Sequence, residues 1–222
     1  MDLNDIDIDS LPDFVNEPLS TFIDSLAALR DEQFDLLKRC TSKEGIPAGA
    51  LQHLIIAALR RSTSLIEGFL ALADMKNKFC AVPLIRMQLD SAMRVHASRL
   101  VNDPAAFVEH ILKGGEPRKF KHCPTLDLRD CELHRRLTEK YPLTSDLYRD
   151  TNGYVHLSKQ HLFEIFDWEG LRSGDFELTD FDALPPWPET DLKGCFLQMI
   201  WATHVLTEEC TLIVNKTGEP CI

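Results

Sequence analysis

From residue 18 to residue 101 the apolar side chains recur at spacings of three and four. That spacing gathers them on one face of an α-helix, whereas a half-buried strand needs strict alternation. Leu19, Phe22, Ile23, Leu26, Leu29, Phe34 and Leu37 mark a first helix over 18–40. The stretch SKEGIPAG then breaks the pattern with Gly45 and Pro47. Leu51, Leu54, Ile55, Ala58, Leu65, Phe69, Leu72 and Ala73 carry a second helix from Ala48 to Met75. After a break at Asn77, Ile85, Leu89, Ala92, Met93, Ala97 and Leu100 carry a third from Val82 to Val101. Pro83 fits its first turn, where a missing N–H costs little.

The rest of the chain reads the same way. NDPAAFVEHILKGG predicts a short helix with Asp103 as cap, Pro104 at its first position and Gly114–Gly115 as stop. LRDCELHRRLTEKYP predicts a helix ended by Pro142, and a further one follows over 143–160. Residues 163–190 are acidic, aromatic and proline-rich, without helical or strand period. A last helix over about 189–214 carries Phe196, Leu197, Ile200, Trp201, Val205 and Leu212. No repeat or strand pattern intervenes, so the expected fold is an all-α helical bundle in one domain, 1–222, with 191–214 as a C-terminal packing helix.

Composition bounds the function. A 44% hydrophobic content over 222 residues supports a core that needs no disulfides. The seven cysteines are irregularly spaced, and the acidic start MDLNDIDIDSLPDF is unlike a basic-then-apolar targeting segment. Free thiols and a cytoplasmic location are expected, and no apolar run reaches the length of a membrane span. Net charge −11 opposes broad nucleic-acid binding. The charge is uneven, however: residues 113–161 hold ten Lys/Arg against seven Asp/Glu. That leaves room for a local anion site.

Three groups of side chains carry candidate chemistry. Arg86, Asp90 and Arg94 lie four apart, so they line one helix edge where two guanidiniums suit phosphate or carboxylate, or pair with the acid between them. Glu67 on the preceding helix is placed to face that edge. His96 and His204 fall on apolar sides and read as hydrogen-bonded core histidines. His122, Cys123, Cys131 and His134 are zinc-ligand types, but Cys-x7-Cys-x2-His lacks a paired knuckle. No metal and no cofactor are expected. Phosphate loops, HExxH and GxSxG are absent from the sequence.

The third group is LYRDTNGYVHLSKQH, residues 147–161. Seven residues separate Arg149 from His156, which on a continuous helix returns both to nearly one azimuth. An arginine followed by a polar residue, with a histidine four to six residues beyond, resembles the signature of the HEPN superfamily. Those proteins are small helical bundles, and many catalytic members are metal-independent RNases. The resemblance implies a HEPN-like core at 45–162, with His156 as acid/base toward a ribose hydroxyl. Arg149 would then stabilise phosphorane-like charge and Asp150 would orient it. It also implies a homodimer, RNA as partner, and a toxin or phage-defence role. RDCELH fits the pattern too, through Arg129, Asp130 and His134, but those two side chains diverge by about 140° on a helix.

A wider stretch, 60–160, is similar to a family of uncharacterised bacterial helical proteins. The likeness rests on Arg86, Asp90 and Arg94 with the later Tyr148, His156 and Ser158. It implies that Arg86, Asp90 and His156 converge. The competing expectation is a non-catalytic interaction or regulatory protein, whose acidic segment with Phe176, Phe181 and Trp187 meets a protein partner.

Overall fold

The computed structural model describes residues 16–41, 49–120, 127–156, 158, 159, 161 and 187–217. Among them are seven α-helices and no strand: α1 Leu19–Thr41, α2 Ala50–Asp74, α3 Lys78–Leu100, α4 Pro104–Leu112, α5 Asp130–Lys140, α6 Thr144–Val155 and α7 Glu189–Thr217. The chain is an all-α helical bundle. No described helix is long and apolar enough to cross a membrane.

Local chemistry sets the helix ends. Asp103 accepts from the Ala106 amide at 2.9 Å and Pro104 opens α4, while Gly114 takes φ 82° after its end. That positive φ costs a glycine little. α3 starts four residues before the expected Val82, because the Asn77 side chain caps it by accepting from the Cys80 amide at 3.2 Å. Pro83 therefore lies inside the helix and leaves the Phe79 carbonyl without its usual N–H partner. α6 runs unbroken through Asn152–Gly153 but stops at Val155, short of residue 160. There the Gly153 carbonyl accepts from the Ser158 hydroxyl at 2.7 Å, in place of the amide a continuing helix would offer.

α3 is the central element, packed by α2, α7, α6 and α5, and α1 closes the bundle against α2 and α7. Surrounded on most sides, α3 has little solvent face to hold its polar residues. Arg86, Gln88, Ser91, His96 and Ser98 are all buried with the apolar residues between them. Several of them find partners on neighbouring helices. The Gln88 amide donates to Ser62 of α2 at 2.5 Å and to Thr203 of α7 at 3.0 Å. Further out, Gln33 of α1 donates to Thr207 of α7 at 2.9 Å.

The apolar core fills the space between these links. Phe69 of α2 meets Phe196 of α7 edge-to-face at 5.0 Å, among Ile55, Leu59, Ile85 and Leu89. Trp187, expected to face a partner, is 7% exposed and joins this core at the entry to α7. Phe176 and Phe181 lie outside the described residues. Phe69→Ala is expected to cost about 3–5 kcal/mol, because the site cannot collapse around the lost ring. Ile23→Ala, on the exposed side of α1, should change stability by no more than about 0.5 kcal/mol. Urea unfolding followed by circular dichroism measures both.

Candidate functional site

The described residues form a groove of about 580 Å³ where the start of α3, the second half of α6 and the start of α7 meet. α3 contributes Lys78 and Val82; α6 contributes Arg149, Asp150 and Tyr154, with Lys159 just beyond it. The α7 wall is Asp191, Gly194, Cys195 and Gln198. The volume is that of a small-ligand site. Three cations and two carboxylates line the groove, in a chain of net charge −11.

The groove charges are partly spent on each other. Lys78 pairs with Asp191 at 3.4 Å, and its ammonium lies 5.9 Å from the centre of the Tyr154 ring. Arg149 pairs with Asp146 at 2.7 Å and with Asp150 at 3.1 Å, yet its side chain stays 70% exposed. Those two carboxylates raise the pKa of Arg149, a cation at any working pH, further still. Asp150 also accepts from the Gln198 amide at 3.3 Å, which ties α6 to α7.

Two of the three residues expected at a reaction centre therefore stand on this wall. His156 does not line it. It caps α6 in extended backbone, φ −125° and ψ 150°, and is exposed. The two-turn alignment with Arg149 stops one residue short, since the helical azimuth rule ends at Val155. No hydrogen bond or ion pair joins the two side chains.

Arg86, Asp90 and Arg94 do share an edge of α3, and their partners are internal. Arg86, 5% exposed, ion-pairs with Asp90, and Arg94 ion-pairs with Asp130 at the start of α5. Burial pushes the Asp90 carboxyl above its ordinary range even beside Arg86. Glu67 is exposed on α2, and the acid that Arg94 meets comes from α5 instead. The Arg86 guanidinium lies 4.1 Å from the centre of the Tyr148 ring, and the His134 ring lies 4.1 Å from it as well. Tyr148, not His156, is the α6 residue that meets this edge.

His134 is fixed in turn. Its Nε2 lies 3.2 Å from the Thr144 carbonyl, which can only accept, so Nε2 carries the proton. Burial lowers its pKa, the bond to Thr144 works against that, and nearby Arg86 adds to the lowering. The alternative partner Arg129 is held by Asp127 at 2.6 Å. Cys131 is exposed beside it, and His122 and Cys123 lie outside the described residues.

The strongest electrostatic feature escaped the sequence reading. Glu209 of α7 is 0% exposed and takes four donors. His96 Nδ1 at 3.0 Å and Arg99 at 2.6 Å reach Oε2 from α3, while Lys140 and Tyr141, each at 3.0 Å, reach Oε1 from the end of α5. His96 is thus a bonded core histidine, as its apolar setting suggested. Burial alone would push the Glu209 carboxyl up; the bonds and charges of His96, Arg99 and Lys140 outweigh it and hold the pKa far below the usual range. Burial, then the Glu209 charge, pushes the Tyr141 phenol well above its own. A signal for Glu209 did exist: it falls at helical spacing among the buried Val205, Leu206 and Ile213, on the inner face.

Comparison with protein-family models, with curated proteins and with solved structures finds no match to this chain.

Because the Glu209 pKa is depressed in the fold, its contribution to stability is complete above the ordinary value of 4.5 and is lost as pH falls below it. The difference in unfolding free energy between wild type and Glu209→Gln is therefore expected to shrink steadily under acid below that value. Urea titrations at a series of pH values measure it.

Proposed function

We propose that the protein is a non-catalytic binding or regulatory protein that takes an anionic segment of a protein partner in the groove between α3, α6 and α7. The observation that carries this reading is that Lys78, Arg149 and Lys159 come from three segments to the lining of one groove, in an otherwise acidic chain. Cations gathered in one groove can pair with the carboxylates of an acidic partner while the net charge repels bulk polyanions. The histidine that general acid–base chemistry would need is away from that wall. Arg86, Arg94 and Glu209 are engaged within the chain, which suits scaffolding rather than turnover.

A second reading keeps the HEPN-like RNase. It is favoured by Arg149 and Asp150, which stand side by side on the groove with the guanidinium largely exposed. In that reading RNA lays a phosphate on Arg149, and a second chain across a homodimer brings further copies of the motif, with His156 acting as acid/base.

The two readings separate in one set of assays. Binding of a labelled oligoglutamate peptide, followed by anisotropy at low salt, is expected for wild type. It should weaken at least about tenfold in Arg149→Glu/Lys159→Glu, which reverses two of the three groove cations. Labelled RNA should stay intact. RNA cleavage by wild type that disappears in His156→Ala and persists in His134→Ala would overturn the binding reading in favour of the nuclease.

A further inference from the structure

The two walls of the groove belong to parts of the bundle that are joined by different forces. α1, α2, α3 and α7 meet through apolar side chains such as Leu26, Ile55, Phe69, Leu89 and Phe196. The α5–α6 hairpin, which carries Arg149 and Asp150, reaches α7 through polar links and the edge-to-face contact of Tyr141 with Trp201 at 6.5 Å. Lys140 and Tyr141 donate to Glu209 Oε1, and Gln198 donates to Asp150. Its hold on α3 includes the partly exposed Arg94–Asp130 ion pair and the Arg86–Tyr148 stack, over the buried Leu133, Leu137 and Leu147.

Glu209 divides its oxygens between these two parts. Oε2 belongs to α3 through His96 and Arg99, and Oε1 belongs to the hairpin. Releasing the hairpin therefore leaves the buried carboxylate with two donors and a compensating charge. Lys140, whose side chain is already 40% exposed, can turn to water. Neither separated part holds an orphaned ion, which is the condition for a low-cost opening.

We infer that the α5–α6 hairpin opens as a unit, latched to α7 by Glu209, and that its position sets the width of the groove. The inference rests on the groove being the recognition site. A ligand touching Arg149 on the hairpin and Lys78 across from it favours the latched state by its contacts to both walls.

Amide hydrogen exchange at neutral pH on wild type and on Lys140→Met/Tyr141→Phe tests it. That variant removes the hairpin's two donors and leaves Glu209 with His96 and Arg99. Amides within 130–155 are expected to exchange at least about tenfold faster in the variant, while the interior of α2 and α3 keeps its wild-type rates. Uniform acceleration across all helices, or none anywhere, would overturn the latch. Should that variant fail to fold, Lys140→Met alone, which removes the half-exposed donor and keeps the Tyr141 bond, gives the same reading: acceleration confined to 130–155 supports the latch, and uniform or no acceleration refutes it. Selective opening without oligoglutamate binding would keep the latch and remove the groove reading, and binding without selective opening would do the reverse.

Discussion

A carboxylate with no exposure to solvent stays charged only where donors and cations replace the water it lost. Glu209 is such a group, and the four side chains that replace its water come from α3 and from the corner between α5 and α6. One atom group on α7 thereby fixes the register of two other parts of the bundle. Apolar packing is non-directional, so by itself it specifies register less sharply than directional bonds do.

The same principle runs along α3. A helix at the centre of a bundle cannot segregate polar residues to a wet face, so its polar side chains take partners close by, several of them on neighbouring helices. Gln88 takes Ser62 and Thr203, Arg86 takes Asp90 and the face of Tyr148, and Arg94 takes Asp130. The Arg86–Tyr148 contact positions α6, and α6 carries Arg149 and Asp150 to the groove. The chemistry that looks most like a site in the sequence therefore holds the fold, and the exposed charges it positions form the surface available for recognition.

This division explains what could be read beforehand. The helices were legible because their apolar residues keep a three-to-four spacing, and α4 was legible to its ends because Asp103, Pro104 and Gly114 each have a local role. The start of α3 and the end of α6 were not. They depend on a side-chain cap by Asn77 and on a hydroxyl from Ser158, contacts that leave no periodic trace. Arg149 and Asp150 were singled out and do reach the groove, but the facing of Arg149 with His156 assumed a helix that ends at Val155. Lys78, Tyr154 and Gln198 were missed because they come together only through the packing of three helices. Glu209 was missed because an acid beside Glu208 in an apolar helix reads as solvated until its position on the inner face is weighed.

The central claim is that Glu209 ties α3, α7 and the α5–α6 corner by direct bonds rather than through general packing. A double-mutant cycle between Glu209→Gln and Arg99→Met, read by urea unfolding at neutral pH, tests it most directly. Direct bonding predicts a coupling energy of about 1–3 kcal/mol, as for other contacting charged pairs in one network. Additivity of the two substitutions to within about 0.5 kcal/mol would contradict it.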